Sequence, residues 1–171
     1  MPGVRAPASL RQQALMWLAQ RDHSRKELHD KLQRWVQALE AARALAPAVP
    51  WPDAQQIPAL LNELEAAGHL SDARVVESRI HVRAARFGNL RIERELQHLG
   101  VGADEPARAV LRASELQRAQ SVWARKFGQP PASAAERARH MRFLAGRGFT
   151  ADTIRTVLRG VSEDEERDLD T

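Results

Sequence analysis

The feature that most constrains this chain is its helix punctuation. Ser24-Arg25-Lys26-Glu27 reads as a capping box: the Ser hydroxyl accepts from the Glu27 N–H while the Glu27 carboxylate reaches back. Ser133-Ala134-Ala135-Glu136 repeats the pattern. Ser71-Asp72 and Thr150 suit helix starts, with Asp72 and Asp152 near the positive end of a helix dipole. Gly68, Gly88, Gly100, Gly148 and Gly160 stand where helices are expected to end. Between these marks the apolar residues keep helical spacing. Ile57, Leu60, Leu61 and Leu64 follow i, i+3, i+4, i+7, and shorter stripes are Leu28 and Leu32, Ile92, Leu96 and Leu99, and Ile154, Val157 and Leu158. No alternating strand pattern competes. The spacing predicts helices near 9–21, 25–45, 57–67, 72–87, 89–99, 104–113, 115–127, 134–146 and 151–159, an all-α fold. Pro47, Pro50 and Pro52 make 46–56 a loop, and 1–8 and 161–171 read as flexible tails.

Composition narrows the function classes. Aromatics are 5% with no Tyr, too few for a large β-sandwich core, while Ala, Leu, Arg, Glu and Gln favour helix. With no Cys, disulfides, thiolate metal sites and cysteine nucleophiles are excluded. No apolar run nears the ~20 residues of a membrane helix, and the N-terminus lacks the apolar segment of a signal peptide, so a cytoplasmic protein with no membrane partner is expected. The formal net charge is +4. It hides an asymmetry, because 163–171 holds six acids against Arg167 and the rest is correspondingly more basic. Lys26, Lys31 and Lys126 are the only lysines. Arginine suits phosphates and carboxylates, although GC-rich codon usage produces the same bias.

The chain also resembles itself. Gly100-Val101-Gly102-Ala103-Asp104 matches Gly148-Phe149-Thr150-Ala151-Asp152, and Leu96 matches Leu144, at a shift of 48. Arg108-Ala109-Val110-Leu111 matches Arg155-Thr156-Val157-Leu158 at 47, and Ile92 and Leu96 match Leu28 and Leu32 at 64. An Ala/Pro-rich insertion at about 41–53 accounts for the longer shift. The expectation is three tandem three-helix repeats, 9–70, 71–113 and 114–160, between an N-terminal tail (1–8) and an acidic C-terminal tail (161–171). Such units cannot each bury a full core, so they should stack into an elongated, curved array.

Ala14-Leu15, Leu18, Arg21, Ser24-Arg25, Glu27-Leu28 and Lys31-Leu32 resemble the opening of RecX-family proteins. Ile57, Leu61 and Leu64, then Gly68-His69-Leu70-Ser71-Asp72, resemble the family's L-x-x-x-G-x-L-x-D segment. Phe87-Gly88, Arg91-Ile92, Glu95-Leu96 and Gly100-Val101 resemble its G-x-x-R-I-x-x-E-L-x-x-x-G-V segment, and Arg142-Phe143-Leu144 with Arg147-Gly148-Phe149, spaced R-F-L-x-x-R-G-F here, resemble its close. The longer 41–53 segment, Val75-Val76, Trp35 and Trp51 depart from the family pattern. The resemblance implies a non-catalytic, cofactor-free regulator that binds in the groove of the RecA–single-stranded DNA filament. It would inhibit or destabilise the filament, modulating recombination and the SOS response to DNA damage. A monomer is expected, with free DNA a weaker partner.

Two basic clusters are candidate contact residues. Arg79, Arg83 and Arg86 are spaced to share one face of the fourth helix, and Arg91 and Arg94 follow on the next. Arg137, Arg139, Arg142 and Arg147 crowd one stretch of the third repeat. Such faces gain DNA affinity by counterion release, or match acidic rims of a protein groove, or are ordinary solvated helix faces. Phe143 and Phe149 could stack on nucleic-acid bases, but their helical spacing favours core packing, and Trp17 and Trp123 are likewise read as core. The six His are scattered, there is no metal-ligand or phosphate-loop motif, and no catalytic or metal residues are expected. The acidic tail could fold back on the basic repeats, screening non-specific DNA binding. The other reading of the chain is a helix-turn-helix-type protein acting directly on duplex DNA.

Overall fold

The computed structural model describes residues 6–169, with side chains described through Gly160. Every regular element among the described residues is helical: α1 Leu10–Leu18, α2 Arg25–Leu45, α3 Ile57–Ala66, α4 Asp72–Ala84, α5 Asn89–His98, α6 Glu105–Lys126, α7 Ala134–Gly146 and α8 Ala151–Leu169. A short 3-10 turn, Ala54–Gln56, leads into α3 and is capped by the Asp53 carboxylate, which accepts from the Gln55 N–H at 2.9 Å.

The predicted caps form. Ser24 accepts from the Glu27 N–H at 3.1 Å and Glu27 from the Ser24 N–H at 3.1 Å. Ser133 accepts from the Glu136 N–H at 3.2 Å, but Glu136 reaches back one residue further, to the Ala132 N–H. Ser9 with Gln12 makes another full box, and Asp104 caps α6. Each cap contributes about 1 kcal/mol by satisfying N–H groups that lack intrahelical partners.

Three boundaries differ from the sequence expectation. The sixth and seventh predicted helices are one, α6, so Ser114 lies inside a helix rather than at the start of one. Nothing around it breaks the backbone, and its hydroxyl bonds back to the Val110 carbonyl at 2.8 Å. Helix α8 continues through Gly160 to Leu169, so the acidic segment is helical there rather than a flexible tail. One interior glycine costs only about 1 kcal/mol and does not by itself end a helix. Helix α4 stops at Ala84, three residues short of the expectation. The carbonyls at its end and in the turn that follows are taken from outside: Arg118 Nη1 donates to Ala84 and Phe87, and Arg125 Nη2 to Ala85.

The chain divides into two compact units. One runs to Val75 and takes in Leu99–Val101; the other holds Val76–His98 and the chain from Gly102 on. The first unit buries Leu10, Ala14, Leu28, Leu32, Val36, Ile57, Leu60, Leu61, Leu64 and Leu70 in one cluster. Trp17 and Trp35 meet edge to face beside it, 6.5 Å between centroids, and Lys31 Nζ lies 4.4 Å from the Trp17 ring. Trp51 Nε1 donates to the Ala46 carbonyl at 2.9 Å, pinning the Pro-rich loop to the end of α2. The second unit's cluster is Ala119, Val122, Trp123, Leu144, Phe149, Ile154, Val157 and Leu158, from α6, α7 and α8. Each fully buried Leu, Ile, Val or Phe contributes about 1.5–3 kcal/mol relative to exposure.

Candidate functional site

Within the second unit, the loop before α5 and the turn between α7 and α8 approach at backbone distance. Gly88 N–H donates to the Arg147 carbonyl at 3.0 Å and Leu90 N–H to the Gly148 carbonyl at 3.1 Å. A Cβ on Gly88 would stand 2.3 Å from Gly148 O and Phe149 N. Gly148 has φ +84, and a Cβ there would meet Arg91 Cβ at 2.5 Å. Only glycine fits at either place.

This approach joins the two basic clusters on one ring. Phe87 is 8% exposed. The guanidinium carbons of Arg91, Arg83, Arg147 and Arg86 lie 4.2, 4.8, 5.5 and 5.9 Å from its centroid. Arg147 also lies 5.2 Å from the Phe143 ring. The ring faces attract guanidinium charge and hold four cations that would otherwise repel one another apart.

The proposed stripe on α4 is corrected in two respects. Arg86 lies in the turn after α4, not on the helix. Arg83 is committed within the protein: its Nε and Nη2 donate to the two Glu95 carboxylate oxygens, both at 2.6 Å. Arg91 reaches the same carboxylate at 3.4 Å. The Arg83 hydrogen bond is the main reason that Glu95 ionises below its usual value; burial opposes it, and the charges of Arg83 and Arg79 add to it. Arg79 is half-buried and Arg94 is exposed, and neither makes a hydrogen bond or ion pair among the described residues. On α7, Arg139 lies 5.5 Å from the Phe127 ring and Arg137 Nη1 donates to the Leu158 carbonyl at 3.5 Å. Arg142 is exposed without a hydrogen-bond or ion-pair partner among the described residues.

The residues that organise this face were not singled out by sequence. Arg118, half-buried on α6, donates to the carbonyls of Phe87 (2.7 Å) and Leu111 (3.0 Å) and to Asn89 Oδ1 (2.5 Å). Burial lowers its pKa against the opposing charge of Glu115. An arginine nonetheless stays charged. Glu115, 4% exposed, accepts from the Asn89 N–H at 2.9 Å and from the Thr150 and Thr153 hydroxyls, each at 2.8 Å. Arg118 looks in sequence like one more surface cation and Glu115 like a helix-face acid. The available signal was their position: both fall on the α6 face that carries Leu111, Ala119 and Val122.

His140 is 2% exposed; its Nδ1 accepts from Trp123 Nε1 at 3.3 Å, and its ring stacks on Phe127 at 3.6 Å. Desolvation, then the charge of Arg139, pushes its pKa below 6.5. That makes it a core histidine. Among the described residues no group of three or more His, Asp or Glu could hold a metal ion, and no helix is long and apolar enough to cross a membrane.

Fold and face together define a class: an all-helical protein of three-helix units that presents arginines gathered on an aromatic ring. Residues 113–158 match the family model described as the third three-helix domain of RecX. The chain is 45% identical over 170 residues to Regulatory protein RecX of Leptothrix cholodnii, covering 98% of this chain and 99% of that one. It is 39% identical to Regulatory protein RecX of Ralstonia nicotianae (91% and 90% covered) and 41% identical to that of Herminiimonas arsenicoxydans (92% and 96%). The chain belongs to the RecX family. The crystal structure of RecX from Lactobacillus salivarius has the same fold, with a TM-score of 0.65 over 90% of this chain and 94% of that chain at 20% identity.

Proposed function

We propose that this protein is a non-catalytic regulator of the RecA–single-stranded DNA filament, binding in the filament groove and inhibiting or destabilising it. Family membership supports the regulatory role. The observation that carries the interaction is the convergence of Arg83, Arg86, Arg91 and Arg147 on Phe87, which joins the basic stretches of two repeats into one face. In this reading the chain acts as a cytoplasmic monomer of three repeats, 9–70, 71–113 and 114–160. Arg79, Arg86, Arg94, Arg137, Arg139, Arg142 and Arg147 meet the partner, while Arg83 and Arg91 hold Glu95 and Phe87 in place behind them.

The test is RecA ATPase on single-stranded DNA with the protein titrated in. Substoichiometric inhibition without sequence preference is expected. No inhibition, together with tight binding to one duplex sequence, would reverse the reading in favour of a helix-turn-helix-type duplex reader.

A further inference from the structure

Beside the Phe87 cluster, the second unit has a cleft of about 280 Å³ lined by Arg86, Val122, Arg125, Lys126, Phe143 and Arg147. Four of the six lining residues are cations from three segments: the turn after α4, the end of α6 and the end of α7. None of the four makes an ion pair among the described residues. Arg125 spends two of its donors on the Ser121 and Ala85 carbonyls, at 3.2 and 2.8 Å, and its other N–H groups remain. Val122 and Phe143 supply an apolar wall, Phe143 being half-buried. No carboxylate among the described residues pairs with these arginines and this lysine, which leaves the cleft basic. The volume sits just under the ~300 Å³ at which pockets begin to hold drug-sized ligands, so one small anionic group fits and a whole cofactor does not.

We propose that this cleft is a subsite for one phosphodiester of single-stranded nucleic acid, its phosphate on Arg86, Arg125, Lys126 and Arg147 and its sugar and base against Phe143. Arginine forks donate two parallel hydrogen bonds to a phosphate. Single-strand sites pair a cationic track with aromatic surface, whereas a duplex keeps its bases stacked inside and offers Phe143 nothing. The proposal deepens the filament reading by naming the residues that meet the strand. It adds Arg125 and Lys126, which the charge pattern alone did not single out.

The experiment needs no RecA. Fluorescence anisotropy of a labelled oligothymidylate with the full chain is followed across a sodium chloride series, for the native protein, Arg125→Ala/Lys126→Ala and Phe143→Leu. Far-ultraviolet circular dichroism confirms each variant's helicity. The double variant should bind more weakly and lose up to about 0.7 from the log–log salt slope, the share of the one phosphate held in the cleft on a single strand. Phe143→Leu should keep the slope while losing preference for the oligothymidylate over a duplex of equal length. A folded double variant with native affinity and slope overturns the proposal, as does displacement of the oligonucleotide by polyglutamate as readily as by polyphosphate. Failure to inhibit RecA with the subsite effects intact would remove the filament reading and leave the cleft standing; inhibition of RecA with oligothymidylate binding indifferent to the double variant would do the reverse.

Discussion

The Gly88 N–H donates to the carbonyl oxygen of Arg147 at 3.0 Å, and Ser24, the residue matching Gly88 in the first repeat, does the same with a side chain. Its Oγ donates to the carbonyl of Leu99, the match of Arg147, at 2.5 Å. Each next residue, Gly148 and Gly100, packs against the chain it faces: a Cβ would meet Arg91 Cβ or Lys26 Cδ, each at 2.5 Å. The internal repeat therefore extends to a reused docking turn, built once from a backbone donor and once from a hydroxyl.

Gly88→Ala should destabilise the second unit by about 1–3 kcal/mol, because backbone atoms crowd the new methyl and cannot rotate away. The urea midpoint measures this. Gly146→Ala, with open space around its Cβ, should not lower the midpoint. Equal midpoints for the two variants would mean that the turn gives way freely.

Glu115→Ala should leave the Asn89 N–H and two threonine hydroxyls without their acceptor. The buried amide alone costs about 1–3 kcal/mol when unsatisfied. Glu115→Gln, which keeps one acceptor oxygen, should lose less. Denaturant unfolding of both variants decides the order.

Arg83 and Glu95 should show a coupling of about 1 kcal/mol in a double-mutant cycle, more than a loose surface pair because both forks are used. Since Glu95 ionises below its usual value, the pair's contribution is present at neutral pH and is lost as pH falls from about 4.5 through the lowered folded value. An interface test that reverses Arg83 would therefore confuse binding with folding. Arg79→Glu/Arg86→Glu/Arg94→Glu should weaken RecA inhibition with helicity retained; loss of helicity would show those side chains to be structural.

His140 acts in a higher pH range, with the same sign. Its folded pKa lies below 6.5, chiefly through burial, so the unfolded chain takes up the proton first. Stability is then full above about 6.5 and declines as pH falls toward the folded value. His23, 2% exposed and desolvated in the first unit, acts in the same direction. Urea midpoints between pH 7 and 5 should fall, and His140→Phe should flatten part of that slope.

Most helix positions and the caps were legible in the amino-acid order, because they depend on spacing and on neighbours three or four residues away. Leu28, Leu32, Ile57, Leu61, Leu64, Ile92, Leu96 and Leu144 are all buried as the stripes require. The resemblance to RecX was legible for the same reason, being a matter of order and spacing. What an arginine does was not. Arg83, Arg118 and Arg142 are alike in sequence, yet one clamps a carboxylate, one caps the last carbonyl of α4 from another helix and one is exposed without a hydrogen-bond or ion-pair partner among the described residues. Only the tertiary structure separates them, since a long cationic side chain is assigned its partner by whichever segments packing brings within about 3 Å of it. The Phe87 cluster and its neighbouring cleft exist because two glycine turns touch, and contact between residues so far apart in the chain is not encoded in any local pattern.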